Sequence, residues 1–524
     1  MSTISPVDYA VISQAFLSAA REMGAKLCRA AYSSIVREAK DASTGILNAR
    51  GEAVAQSDEL IPILVGSLSI AFRHCAAACP IEKLAEGDFY ITNNPYEGGH
   101  HLNDVFVFVP IFVEGQLLGF SASVAHQLDV GGSTTLSNVA SDVFQEGLTI
   151  PAARYNVERD WNGGPLERLI AANIRVPEQT IGDINSQFAA CQTGVGRVRD
   201  LCAKYGTAKV LRVMDEMLDY SERRVRSAIA AIPDGTYRAE DTLDDDGITG
   251  HPLTVRVAVT VAGDTMEIDY DGTAKQAKSG LNSPFASTVS ATLTAIKDIV
   301  TGSDVPYNEG TFRPITIKAP LGSLLNPRHP APVAARMEPI YRAFDSVLMA
   351  LGQAIPDRVI ACGYDSTYLT SLSILEERGY QVFIEVHGGG WGASASADGA
   401  DGVAQPLSNC TNVPVEMTDM GYDYFRVENY SLIPGSGGTG RHRGGHGTMR
   451  AFRILKDGVR FSIYADRFDK PAAGLQGGGD GSRASCEVLR GNERIPYRSM
   501  GSDVLRTGDL LVVRTGGGGG YGTP

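Results

Sequence analysis

The sequence predicts an α+β, multidomain protein with mixed sheets, a long helical segment and a Gly-rich, β-rich C-terminal region. Three features lead there. Strand-like apolar runs alternate with stretches of helical period through the first two thirds of the chain, and residues 177–231 keep a helical pattern with one break. The last third gathers glycine clusters among short strand-like runs. At 524 residues the chain exceeds what one core holds, and its composition shifts suggest a division into 1–232, 233–385 and 386–524.

Taken in order, Val11, Ile12, Phe16, Ala19, Met23 and Leu27 recur at helical spacing and predict an amphipathic helix over 8–38, with Ser5-Pro6 as its start. Thr44 to Leu47 and Ala53 to Ala55 flank Asn48-Ala49-Arg50-Gly51, a hairpin signal. A second helix is expected over 62–80 and a strand over 87–91. Val105 to Val113 and Gln116 to Val124 are largely apolar runs separated only by Glu114-Gly115, which predicts two strands joined by a tight turn. Pro177 to Ala231 reads as a helix pair or a longer helical arm, broken at Tyr205-Gly206 and closed by Pro233-Asp234-Gly235. Strands follow over 235–239, 253–261 and 265–270, then a helix over 287–301, strands near 312–318, a helix over 339–354 and further strands toward 386. Four glycine clusters come next, at His387 to Gly392, Gly435 to Gly440, Arg443 to Gly447 and Gly516 to Gly520. They lack the Lys-Ser/Thr and the following helix of a phosphate loop, so tight turns and close backbone packing are expected of them.

Hydrophobic residues at 43% and charged residues at 20% are the proportions of an ordinary globular chain, which excludes disorder. A net charge of -13 without any basic stripe excludes nucleic acid as the main partner, because binding phosphates needs clustered Lys and Arg. No apolar run is long enough to span a bilayer, and the N-terminus has no basic region ahead of an apolar one. Neither a membrane span nor a signal peptide is expected. Eight cysteines (Cys28, Cys75, Cys79, Cys191, Cys202, Cys362, Cys410 and Cys486) with no Cys-x-x-Cys pair fit a reducing, cytoplasmic compartment. Cys75 and Cys79, four apart beside His74, are expected as small core residues.

Residues 90–132 concentrate the chemistry. A hairpin folds back on itself, so the residues just before its first strand and just after its second reach the same end. There His101, Asp104 and His126 converge, and imidazole with carboxylate on a rigid scaffold is a ligand set for a divalent metal. Asp41 follows the first helix at a helix-to-strand junction, where it either caps a turn or is aimed into a site. Glu146, in Val143-Phe144-Gln145-Glu146-Gly147-Leu148, is either a solvated loop carboxylate or an acid–base group. Arg336 and Arg342 are candidates for holding an anionic substrate, against the commoner reading of helix-surface arginines.

The order of these segments resembles the hydantoinase B/oxoprolinase family, which includes the α subunits of acetone-type carboxylases. The resemblance runs nearly end to end. It rests on Ile91-Thr92-Asn93-Asn94-Pro95-Tyr96 with Gly98-Gly99-His100-His101-Leu102-Asn103-Asp104, then His126, Asp129-Val130-Gly131-Gly132 and Gln145-Glu146-Gly147-Leu148. Asn282-Ser283-Pro284, Phe312-Arg313-Pro314, Leu324-Leu325-Asn326-Pro327-Arg328, Gly388-Gly389-Gly390-Trp391-Gly392, Asn412-Val413-Pro414-Val415-Glu416 and Gly517 to Gly522 continue it. The resemblance implies that His101, Asp104 and His126 are metal ligands with Asp41 as the fourth, that His100 supports them or faces substrate, and that Asp129 is a loop or supporting carboxylate. Three departures stand out. His126-Gln127 replaces a histidine pair, and Ile63-Leu64 and Gln405-Pro406 occupy places where histidines are common. If those histidines touch substrate, this pocket is less basic and its substrate differs from the usual hydantoins.

The function so implied is a metal-dependent hydrolytic subunit of an ATP-dependent cyclic amide hydrolase of hydantoinase, oxoprolinase or lactamase type. ATP is used by a separate hydantoinase A-type ATPase subunit, which phosphorylates the amide oxygen within a hetero-oligomer. This chain receives the activated small-molecule ring. Divalent Zn or Mn would lower the pKa of water toward about 7, and Glu146 or His100 would take or return the proton. Two other readings are a subunit of an acetone- or acetophenone-type carboxylase and a non-catalytic scaffold for the ATPase.

Overall fold

The computed structural model describes residues 4–64, 66–133, 140–302, 304–377, 379–408 and 413–524. Cys410, Asn412 and the middle of the loop after Asp129 lie outside the described residues. The chain packs as two compact units, each assembled from non-consecutive stretches. Met1–Thr236, Thr260–Tyr270 and Lys275–Arg336 form the first, and Tyr237–Val259, Asp271–Ala274 and Met337–Pro524 the second. The consecutive division into 1–232, 233–385 and 386–524 differs from this, since the middle stretch is shared between both units. Which strand joins which neighbour is decided by non-local packing, and local period carries no record of it.

In the first unit α1 (Pro6–Ala30) starts where Ser5 Oγ accepts the Asp8 N–H at 3.0 Å. It stops well before residue 38 because Asp183 Oδ1 accepts the N–H groups of Tyr32 and Ser33 at 2.7 and 3.1 Å, turning the chain. Ser33 Oγ then caps a separate short helix, Ser34–Arg37. Strands β1 (Ala42–Asn48), β2 (Ala53–Gln56), β3 (Asp88–Thr92), β4 (Asp104–Val113), β5 (Gln116–His126) and β6 (Ala153–Asn156) make an antiparallel sheet of order β2-β1-β5-β4-β3-β6. The turn between β4 and β5 has φ of 50° at Glu114 and 79° at Gly115, the left-handed pair that a tight two-residue hairpin demands. Helix α2 (Pro177–Tyr205) packs across β4 and β5 and along α1, and α3 (Thr207–Ile229) leaves it at Gly206. Most of β4 is buried on both faces, which is why its sequence is a continuous apolar run rather than an alternating one. Phe16, Met23, Ile46, Val107, Ile184 and Val198 sit in the resulting core.

In the second unit β7 (Leu369–Glu376), β8 (Gly379–Val386), β9 (Phe425–Leu432), β10 (Thr448–Ile454), β11 (Val459–Tyr464), β12 (Ser485–Arg490), β13 (Glu493–Tyr497), β14 (Met500–Leu505) and β15 (Leu510–Arg514) form two antiparallel sheets. Their orders are β8-β7-β11-β14 and β9-β10-β15-β12-β13, around a core that includes Phe383, Tyr424, Phe452 and Phe461. The glycine clusters lie backbone against backbone, as expected. A Cβ on Gly390 would fall 2.0 Å from Gly445 O, and one on Gly444 would fall 1.8 Å from Gly518 O. No helix among the described residues is long and apolar enough to cross a membrane.

Candidate metal centre

Strand register builds this site. Asp104 opposes His126 across β4 and β5, and Ala42 opposes Ala125 across β1 and β5, so three strands end together. The His126 N–H donates to Asp41 O at 3.0 Å, which fixes Asp41 beside the histidine. The Asp104 N–H donates to His101 O at 3.0 Å, closing a tight turn that sets those two side chains together. Gly98, at φ 88°, lies so close to helix Ser67–Ala78 that a Cβ would be 2.7 Å from Ala71 N and Cα, so only glycine lets the loop reach this place. Asn93 ties the loop down. Its Nδ2 donates to Leu102 O at 2.6 Å and Leu148 O at 2.9 Å, while its Oδ1 accepts the Ile150 N–H at 2.6 Å.

The result is a triangle of three side-chain atoms. His101 Nε2 and His126 Nδ1 are 3.0 Å apart, His101 Nε2 and Asp104 Oδ1 3.2 Å, and His126 Nδ1 and Asp104 Oδ1 3.3 Å. Among the described residues these three form the one His/Cys/Asp/Glu group compact enough to hold a metal ion. Asp41 Oδ2 stands 3.6 Å from His126 Nδ1, and its Oδ1 is buried with no hydrogen-bond partner among the described residues. Arg336 Nη2 donates to the other Asp104 oxygen, Oδ2, at 2.7 Å. All four sequence-derived ligand candidates are therefore brought together.

Burial and neighbouring charges act differently on the three groups of this cluster. Burial, with Arg336 nearby, lowers the His101 ring to about 4, which leaves it neutral with a lone pair near neutral pH. Burial works against a charged His126, yet the hydrogen bond to Asp104 and the charges of Asp41 and Asp104 outweigh it and raise that ring. Burial also opposes the Asp104 carboxylate, but His101 and Arg336 hold it well below the usual range. Arg336 was legible only as one of two arginines that could meet an anion. It is 4% exposed and its partner is a carboxylate of the cluster, so it is no helix-surface residue. Arg342 is fully buried in the second unit, donating to Asp365 O.

The side-chain hydrogen bonds of His100 and Glu146 run to groups outside the triangle. His100 is fully buried, with Nδ1 2.7 Å from Ser287 Oγ and Nε2 without a partner among the described residues, and burial lowers its ring to about 3. Glu146 is 6% exposed, so it is not a solvated loop carboxylate; its Oε1 accepts the N–H groups of Val333 and Ala334, both at 2.8 Å. Asp129 is a loop anchor, accepting from Gly131 N–H at 3.1 Å and from Arg175 Nη1 at 2.7 Å. Gln127 is fully buried and directed at the core, where Nε2 donates to Ala125 O at 3.1 Å and to Gln187 Oε1 on α2 at 3.3 Å. Ile63 and Leu64 are buried too, and Gln405 donates to Ser366 O at 2.7 Å.

Burial lifts the Glu146 carboxyl from 4.5 to about 8, against the pull of its two backbone donors. A raised acid binds more protons in the folded chain than in the unfolded one between those values. Its stabilising contribution is full below 4.5 and is lost as pH rises through about 8. Glu146→Gln is therefore expected to melt at a temperature that rises relative to the wild type as pH goes from 5 to about 8.5, readable by scanning fluorimetry.

The fold and its buried cluster define an α+β chain organised around a carboxylate–imidazole centre at the mouth of a hairpin. The chain belongs to the hydantoinase B/oxoprolinase family, which matches residues 5–524. It is 34% identical over 96% of its length to an uncharacterized protein of Methanocaldococcus jannaschii, covering 88% of that protein. It is 32% identical over 100% of its length to a Pseudomonas sp. protein provisionally named as a subunit of a D-/L-hydantoinase, covering 91% of it. Its fold is similar to the crystal structure of the ATP-dependent caprolactamase from Pseudomonas jessenii, with a TM-score of 0.90 at 26% identity, over 100% of this chain and 92% of that one.

Proposed function

We propose that this chain is the hydrolytic subunit of an ATP-dependent cyclic amide hydrolase, and that it holds a divalent metal with His101, Asp104 and His126 and with Asp41 as the fourth ligand. The observation that carries this reading is the triangle with sides of 3.0, 3.2 and 3.3 Å. Nitrogen and oxygen ligands about 2.0–2.1 Å from an ion stand about 2.8–3.0 Å apart in octahedral and about 3.3–3.4 Å apart in tetrahedral geometry, a range that brackets the triangle, so the residues fit either Mn or Zn. Asp41 Oδ1, buried and without a partner among the described residues, supports a further ligand at the same place. A divalent ion there supplies Lewis acidity to the reaction.

The chain's own residues divide the remaining work. Arg336 holds Asp104 Oδ2 and leaves Oδ1 facing the two imidazoles. Neutral His101 offers a ring nitrogen at working pH. His100 Nε2, without a partner among the described residues, supports that residue as the group that takes or returns the proton of ring opening. A ring amide is a poor electrophile, and phosphorylation of its oxygen by a hydantoinase A-type ATPase partner removes that obstacle. The names of the two Pseudomonas relatives, one a subunit and one ATP-dependent, support this division of labour in a hetero-oligomer. Gln127, Ile63 and Leu64 pack into the core, so the departures at those positions support no change of substrate by direct contact.

A screen of cyclic amides with ATP and the co-purified partner tests the reading. Phosphate release and ring opening are expected together, to be lost on chelation and to return with Zn or Mn. Full turnover by metal-free protein would overturn it. Bicarbonate-dependent carboxylation of a ketone would instead assign the carboxylase reaction, and a chain with neither metal nor turnover is a scaffold.

A further inference from the structure

We infer that Glu146 is a positioning residue for the metal centre, acting through residues 333–336 and Arg336 instead of exchanging protons with substrate. The inference rests on the metal reading above. Glu146 Oε1 accepts two consecutive backbone N–H groups, Val333 and Ala334, both at 2.8 Å. Val333 is fully buried and Ala334 half-buried, so without Glu146 the Val333 N–H above all faces a cost for burial without a partner. The carbonyls just upstream have their own anchors. Tyr96 Oη donates to Ala331 O, and Asn282 Nδ2 donates to Pro332 O at 2.9 Å. Glu146 is thus what holds the N–H groups of Val333 and Ala334.

The segment then turns. The Ala335 N–H donates to Gly280 O at 2.9 Å, and the Arg336 N–H returns to Val333 O at 3.2 Å. The residue whose N–H closes that turn is the one whose side chain reaches Asp104 Oδ2 at 2.7 Å. Asp104 Oδ1 faces both imidazoles, so displacing Arg336 frees the carboxylate that joins the triangle. Each link is a hydrogen bond, and the route from Glu146 to the centre passes through Arg336.

Zinc titration of the full chain, followed by turnover with the partner, tests this. Glu146→Ala is expected to weaken zinc binding by about 10- to 100-fold, the range for supporting groups of metal ligands. In an Arg336→Met background the same change is expected to shift affinity by less than about twofold, because both act by one route. Glu146→Gln keeps an acceptor oxygen for both N–H groups and is expected to retain zinc affinity and turnover within about tenfold, where a proton-transfer group would lose about 10²- to 10⁴-fold. Glu146→Gln with intact zinc affinity and a loss of that size overturns the inference, and so does Glu146→Ala with wild-type zinc affinity. Should Glu146→Ala fail to fold, Glu146→Gln alone decides. A wild-type chain that takes up no zinc overturns the metal reading and this inference with it, a result distinct from wild-type uptake with unchanged variants.

Discussion

His101→Ala is expected to abolish divalent metal uptake and to lower ATP-coupled ring opening by about three orders of magnitude, with the chain still folded. His101 Nε2 is one corner of the triangle, 3.0 Å from His126 Nδ1 and 3.2 Å from Asp104 Oδ1, and its removal opens two of three sides. The ion's charge stabilisation is worth several kcal/mol, and each 1.36 kcal/mol is about tenfold in rate, which sets the size of the loss. The ring is lowered to about 4, so its removal deletes no charge, and Arg336 still holds the Asp104 carboxylate at 2.7 Å. Asp104 is a poorer choice for the experiment. Removing it leaves Arg336 buried without its carboxylate, at a cost of about 3–5 kcal/mol in stability that would obscure the loss of a ligand. Elemental analysis, circular dichroism and turnover with the partner check the expectation together; a His101→Ala chain that keeps metal and rate sinks the proposed role of the cluster.

The hairpin was legible because its signals are local. Two apolar runs joined by Glu114-Gly115 specify strands and turn, and fold-back alone brings His101, Asp104 and His126 to one end. Asp41 was open between two readings because its place depends on the register of β1 against β5, a pairing of residues some eighty apart in the chain that no local period encodes. Arg336 was harder still. It lies 232 positions from Asp104, and nothing in its neighbourhood distinguishes a buried arginine from one on a helix surface. Gln127 shows the opposite failure. Its adjacency to His126 suggested an altered pocket, but successive residues point to opposite sides, and this one points toward Gln187 in the core. The end of α1 was misplaced for a similar reason, since the carboxylate that turns the chain there, Asp183, comes from α2.

Gly518→Ala is expected to destabilise the second unit by about 3 kcal/mol or more, as overpacking of a well-filled interior does, and to lower its melting temperature by about 10 °C. The reason is steric, because a Cβ at this glycine would lie 2.0 Å from Trp391 O, 2.2 Å from Trp391 C and 2.7 Å from Gly392 N. Backbone atoms cannot swing aside as a side chain does. Here they are tied: the Gly445 N–H donates to Trp391 O at 2.8 Å, the Gly518 N–H to Gly445 O at 3.0 Å, and the Gly438 N–H to Gly518 O at 2.9 Å. Moving any one of these segments breaks hydrogen bonds on the others. Gly421 is the matched control, since it ends helix Val415–Gly421 with nothing within 4 Å of an added Cβ. Alanine there is expected to change stability by no more than about 1 kcal/mol, and in the favourable direction. Equal melting temperatures for the two variants would mean that the glycine clusters are not held by close backbone contact. A drop confined to Gly518→Ala would assign these clusters, which in sequence invite comparison with phosphate loops, to the packing of one backbone against another.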